Sequence, residues 1–338
     1  MSKLMTTLRI VAINVAILLS GFGILELGVR LYAHVFMDGK HFFRVSQFIS
    51  PWITSADHPT PRITKNGDGI FRHRDTPIPK RKPNNTIRII AVGGSTTLNE
   101  RSHIVSGFDY AKVLEKLLNK TETNDKRYEV LNAGADAYST AQSLINIQFR
   151  LVDFEPDVIL LMHNINDLTA NFFGNGADGD YANKYLQPYF LSLELQTSRS
   201  LSGFLYQSRL LTGLDIHRLF ATKWSINYTN SIDAGARIFR RNLTYIAQAC
   251  KLHGISLVFL SQPHQKNVPL YDNEHRDFIR YNRIVQDVAK HSNSPFIDMF
   301  ELMGDESKFF VDSVHFTPNG IKRFSSLLHN ELLRLNIL

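Results

Sequence analysis

From residue 87 onward, short runs of β-branched and apolar residues alternate with longer stretches of helical period, and that alternation leaves few folds open. The run Ile87-Arg88-Ile89-Ile90-Ala91-Val92 reads as a buried strand ending in two glycines. An amphipathic stretch from Phe108 to Leu118 comes next, then strands at Tyr128 to Asn132 and Asp157 to Met162 with a helix from about Ser139 to Val152 between them. A helix near Ala234 to Leu252, the strand Ile255 to Ser261, a helix near Glu274 to His291, the short strand Pro295 to Asp298 and a final helix from Pro318 complete the series. Alternating strands and helices build a parallel sheet covered on both faces, because each strand needs a crossover to return in the same direction. With 338 residues and 43% apolar composition, the chain can bury one large core with appendages. Ligands of such sheets bind beyond the carboxyl ends of the strands, which gives weight to Ser95, Asn166 and Gln262, each just after a strand.

Three segments stand outside this pattern. Ile10 to Leu25 is apolar apart from Asn14 and Ser20, with Lys3 and Arg9 in front and further apolar residues to Tyr32. The run is long for a cleaved leader and no Ala-x-Ala site comes after it, so residues 1–33 are expected to be a single-pass anchor. Lys3 and Arg9 favour a cytoplasmic amino terminus, which puts the rest of the chain outside the cytoplasm, in the periplasm of a bacterium. Residues 34–86, broken by prolines from Pro51 to Pro83, read as a linker and entry arm. The stretch 168–233, with Gly174, Gly176, Gly179 and several aromatics, reads as an insertion beside the site, suited to substrate selection.

The formal charge of +7 is scattered, with only small clusters at Lys80-Arg81-Lys82 and Arg240-Arg241. That distribution argues against a nucleic-acid partner and for anionic lipid or acidic glycan nearby. Cys250 is the sole cysteine, so no intramolecular disulfide forms, and its apolar helical setting suggests packing. No metal-ligand spacing such as His-Glu-x-x-His occurs, and no cofactor is expected.

Four short pieces carry the chemistry. Gly93-Gly94-Ser95-Thr96-Thr97 succeeds a strand and could be a tight capping turn or a phosphate-binding turn, although it lacks the patterns of a P-loop and of the usual nucleophile elbow. Asp312-Ser313-Val314-His315 precedes Thr317-Pro318, a good helix start, and could aim an imidazole with a carboxylate behind it. His163-Asn164-Ile165-Asn166-Asp167 offers an amide to an oxyanion, or else is an Asx turn. Asn132-Ala133-Gly134-Ala135-Asp136-Ala137-Tyr138-Ser139 offers backbone N–H groups, or else is a plain turn.

In this order the four pieces resemble the SGNH hydrolases, also called the GDSL family, from about Ile87 to the carboxyl terminus with the insertion interrupting. The resemblance implies an α/β fold, a flavodoxin-like three-layer α/β/α sandwich with a central parallel sheet. It implies Ser95 as nucleophile, His315 as general base, Asp312 as orienting carboxylate, and Ser95 N–H, Ala137 N–H and Asn166 as oxyanion donors. This chain has Ala137 and Asn164 where the family usually has Gly, and Gly94 where Asp is common, a GGST variant associated with envelope and exopolysaccharide members. Ala137 keeps its donor cheaply if its φ is negative, whereas a left-handed conformation costs about 1 kcal/mol or more. Gln262 and His264 are candidates for lining the acyl or sugar pocket, with a polar loop end as the plainer reading, and Asp298 reads as a structural cap.

The expected function is a membrane-anchored serine esterase (O-deacylase) or acyltransferase acting on an extracytoplasmic glycan, with a membrane polysaccharide-biosynthesis complex as a partner to consider. The alternatives are a lysophospholipase or thioesterase on a lipid substrate, and a catalytically inactive glycan-binding or assembly subunit.

Overall fold

The computed structural model describes residues 2–36, 78–99, 108–121, 126–173, 175–179, 181, 184 and 227–337, so most of the expected entry arm and insertion lies outside the described residues. The chain divides into two compact units, Met1–Phe48 with Gln187–Lys223 and Ile49–Leu186 with Trp224–Leu338.

In the first unit the described element is α1 (Ser2–Phe36). Its apolar part, Met5–Leu31, has 27 residues and none of it is buried. At 1.5 Å per residue that is about 40 Å, long enough to cross a hydrocarbon core of about 30 Å. Within the helix the Asn14 amide donates to Ile10 O at 2.9 Å, and Arg30 pairs with Glu26 at 2.8 Å one turn away.

The second unit is built on five parallel strands, β1 (Thr86–Gly93), β2 (Arg127–Gly134), β3 (Val158–Met162), β4 (Ser256–Leu260) and β5 (Phe296–Ile297), in the order β2-β1-β3-β4-β5. Successive strand residues point to opposite faces, and both faces are buried. Ile90, Val92, Ile159 and Leu161 pack under α4 (Thr140–Phe149), α6 (Asp233–Leu252) and α7 (Glu274–His291) through Ile147, Phe239, Leu243, Phe278 and Val285. Ile89, Ala91 and Leu160 pack under α3 (Tyr110–Thr121) and α9 (Pro318–Arg334) through Leu114, Leu118, Phe324 and Leu328. This is the expected three-layer sandwich, and its strand order is the flavodoxin-like one. Cys250 is buried in the first core, where desolvation pushes its thiol up to about 12.

Helix periods read from the sequence lie within a few residues of the observed elements. The stretch expected to stay helical to Val152 instead stops at Phe149 and tightens into a 3₁₀ turn over Leu151–Phe154, ended by Glu155 at φ 49°. Three short helices, α2 (Ser95–Leu98), α5 (Ile165–Thr169) and α8 (Met299–Met303), have no visible signal in the sequence because four or five residues are too few to show a helical period. Asp298 caps α8, its side chain accepting from Glu301 N.

Register decides where the site lies. Gly93 is opposite both Gly134 and Met162, Met162 is opposite Leu260, and Leu260 is opposite Ile297. The strand ends therefore align, and the turns that leave them share one edge of the sheet. β1 lies between β2 and β3, so the chain reverses its winding there, and such a switch point is where sheets of this kind bind ligands. At the amino end of the sheet, Arg88 is fully buried against Glu129 at 2.7 Å, and Lys80 and Lys82 pair with Asp153 at 2.7 Å and Asp157 at 2.5 Å. Much of the Lys80-Arg81-Lys82 cluster thus fastens residues 80–82 to the sheet.

Candidate active site

β1 delivers Ser95 through two glycines that have no room for a side chain. A Cβ on Gly93 would collide with Thr97 Oγ1 and Met162 O; one on Gly94 would collide with the Asn166 amide nitrogen and reach 3.0 Å from Tyr138 O. The turn after β1, the turn after β2 and the turn after β3 therefore touch at Gly94. α2 packs directly on β2, since a Cβ on Gly134 would meet Leu98 N. Asn132 ties the same two turns together, donating to Thr97 O at 2.9 Å and accepting from Gly134 N at 2.9 Å.

The loop before α9 brings His315 to Ser95. His315 Nε2 lies 2.8 Å from Ser95 Oγ, and Nδ1 lies 2.9 and 2.8 Å from the two Asp312 oxygens. Asp312 Oδ1 also accepts from Val314 N at 3.0 Å and His315 N at 2.9 Å, so the carboxylate shapes the loop it serves. Gln265 N donates to Ser313 O at 2.8 Å, Val311 N to His315 O at 2.7 Å, and Thr317 caps α9 by accepting from Gly320 N at 3.1 Å. Burial raises the Asp312 carboxyl, but the His315 hydrogen bond and charge and the two backbone N–H groups outweigh it and hold the group at about 2. A carboxylate ionised at neutral pH only accepts, so Nδ1 carries the imidazole proton and Nε2 is left to accept from the Ser95 hydroxyl.

Across the crevice, Asn166 donates one amide N–H to Tyr138 O at 2.9 Å, and the amide has a second to offer. Ala137 stands at φ 54°, left-handed, so the cheap negative-φ case does not hold. Its N–H persists whatever the sign of φ; what changes is the backbone cost, about 1–2 kcal/mol for a residue with a Cβ. Ala137→Gly is therefore expected to raise stability by about 0.5–1 kcal/mol after glycine's own entropy is counted, seen as a higher urea midpoint. A lower midpoint would contradict the strain. Asn164, in contrast, has φ −165°, an extended backbone that needs no glycine. Its amide donates to Phe278 O and Asn282 Oδ1, both at 2.9 Å.

Gln262 and His264 are not at the pocket surface, in contrast to the expectation from sequence. Gln262 is buried and acts as a strut, its amide donating to Thr96 Oγ1 at 2.8 Å and accepting from Ile165 N at 3.1 Å, while Asn282 brackets its backbone. His264 is buried against the Phe278 ring, centroids 4.6 Å apart, beside His275 and Glu274. Both side chains are thus enclosed by protein. His163 lies 3.7 Å from Asp167, within ion-pair reach, but burial pushes it down to about 3, so it is neutral and shares a hydrogen bond with Ser143 at 2.8 Å. Among the described residues, no group of three or more His, Cys, Asp or Glu converges to hold a metal ion.

The sequence profile of the GDSL-like lipase/acylhydrolase family matches residues 90–323. The chain belongs to this family. GDSL hydrolases cleave esters, and this chain is an ester-hydrolysing enzyme. Among solved structures it is similar to a GDSL-like lipase from Bacteroides thetaiotaomicron, at 14% identity over 73% of this chain and 88% of that one, TM-score 0.43. It is also similar to a lipase/acylhydrolase from Enterococcus faecalis (14%, 73% and 95%, 0.44) and to an acetylxylan esterase from Geobacillus stearothermophilus (14%, 73% and 94%, 0.47). No protein of curated function matches the sequence. Against the usual GDSL pattern, Gly94 in place of Asp leaves the space that the Asn166 amide fills.

Proposed function

We propose that this protein is a serine O-deacylase or acyltransferase acting on a glycan outside the cytoplasm, through Ser95, His315 and Asp312. The observation that carries the reading is the continuous hydrogen-bonded line from Asp312 through both nitrogens of His315 to the Ser95 hydroxyl. Ser95 Oγ attacks the ester carbonyl while its proton passes to His315 Nε2, and Asp312 stabilises the imidazolium. The tetrahedral oxyanion accepts from Ser95 N–H, Ala137 N–H and Asn166. As it collapses, the C–O bond to the alcohol breaks and His315 returns the proton to that alcohol, leaving an acyl group on Ser95. Water then completes hydrolysis, or a sugar hydroxyl completes transfer, with His315 again as base. Asn166→Ala is expected to lower turnover about 10²–10³-fold, and near-native turnover would remove it from the oxyanion site.

The triad side chains are open, His315 at 30% and Asp312 at 38% exposure. That suits a hydrated polymer better than a fatty chain, which needs an enclosed apolar sleeve. Lys3 and Arg9 ahead of the apolar span favour a cytoplasmic amino terminus, which supports a site outside the cytoplasm. The test is acyl preference: p-nitrophenyl acetate turned over faster than the octanoate, with acetate released from an acetylated oligosaccharide. Rates that rise with chain length would assign the site to lipid instead.

A further inference from the structure

Asn166 is gripped at both ends. Its amide donates to Tyr138 O at 2.9 Å, and its main-chain carbonyl accepts from Lys184 Nζ at 2.8 Å. Lys184 belongs to the stretch whose composition suggests a substrate-selecting insertion, yet its side chain is buried, 4% exposed. The next residue, Asp167, is fully buried and accepts from Thr140 N at 3.1 Å and Thr140 Oγ1 at 2.5 Å. Thr140 opens α4 two residues after Tyr138 and accepts from Asn242 at 3.1 Å. These contacts close a ring from Asn166 through Asp167, Thr140 and Tyr138 back to the Asn166 amide, and Lys184 is tied to that ring at the Asn166 carbonyl.

A buried ammonium is costly unless an opposite charge and hydrogen bonds compensate it. Burial drives Lys184 down and Asp167 up, and the attraction between them opposes both shifts. His163 does not compete as the cation, because it is neutral. A buried ion pair gives little net stability over apolar filling of the same space, so the consequence to look for is geometric. An amide displaced by about 1 Å from a developing oxyanion loses most of its effect.

We propose that Lys184 is a positioning residue for the ester chemistry, holding the Asn166 carbonyl and, with Asp167, locking the turn that aims the Asn166 amide at the oxyanion. The proposal rests on the oxyanion reading of Asn166. Lys184 touches no reacting atom and acts through Asn166 alone.

The experiment is a double-mutant cycle on the full chain in detergent, with p-nitrophenyl acetate as substrate. Lys184→Met is expected to lower kcat about ten- to a hundredfold with KM changed less than about twofold, and to lower kcat less than about twofold when Asn166 is already Ala. If Lys184→Met does not fold, Lys184→Met with Asp167→Asn leaves no unpaired buried charge and still removes the 2.8 Å Lys184 donor, leaving the Asn166 carbonyl only the longer 3.4 Å contact from Thr169 Oγ1, so the same kcat loss is expected. Wild-type kcat in that neutral pair, an effect confined to KM, or an equal kcat loss in both Asn166 backgrounds overturns the proposal. Wild-type kcat in Asn166→Ala alone would instead bring down the oxyanion reading, and this proposal with it.

Discussion

Ser95→Ala and His315→Ala, prepared as full chains in detergent, are expected to turn over p-nitrophenyl acetate on the order of 10⁶-fold more slowly than wild type, down to the spontaneous background. The reason lies in the 2.8 Å contact between Ser95 Oγ and His315 Nε2. A serine hydroxyl attacks poorly while it keeps its proton, and an imidazole with nothing to deprotonate does no work here. Each variant thus removes the same step. The two losses do not add: the double variant should be no slower than either single one. Folding should be little affected, because both side chains meet the open crevice rather than the core. Wild-type turnover in either variant would move the chemistry to another residue, and equal background rates in all three proteins would leave a binding subunit.

Asp312→Asn is the second large effect, with turnover expected to fall on the order of 10⁴-fold. Asn can keep accepting from Val314 N and His315 N through its oxygen, so the loop survives. Its NH₂ group, however, can donate to His315 Nδ1, which moves the ring proton to Nε2 and leaves no acceptor for the serine proton. The stability effect comes from the Asp312 carboxyl being held at about 2 in the folded state. Its contribution is present above the unfolded value of about 4 and is lost as pH falls through about 2. Wild type and Asp312→Asn should therefore differ in melting temperature above pH 4 and converge below pH 2, by a modest amount because the pair is half-open to solvent. A difference that grows toward low pH would contradict this sign.

Much of the fold is legible in the sequence because its signals are local. Ile89 to Val92, Val158 to Met162 and Leu257 to Leu260 are continuous apolar runs of strand length, which is how strands buried on both faces read. Thr317-Pro318 announces α9, and the helix does begin there. The Asp312–His315 contact is legible for a related reason, since the two residues sit three apart in one turn. The hidden features depend on partners far away in sequence. Gln262 reads as a pocket residue because it comes just after a strand, and only the tertiary register shows it meeting Thr96, 166 residues earlier. The left-handed φ of Ala137 is a backbone angle in the turn before α4, which its side chain does not advertise. Lys184 lies in an irregular stretch with no period, and nothing in its neighbours distinguishes a buried lysine from a solvated one.

The central claim is that Ser95 is the nucleophile that His315 activates, and covalent trapping tests it most directly. Wild-type protein treated with a p-nitrophenyl alkylphosphonate should release one equivalent of p-nitrophenolate and gain one phosphonyl group, found by mass spectrometry on the peptide that contains Ser95. The His315→Ala protein should take up the label orders of magnitude more slowly. A label on any other residue, or an active enzyme in which Ser95 stays unmodified, would contradict the account.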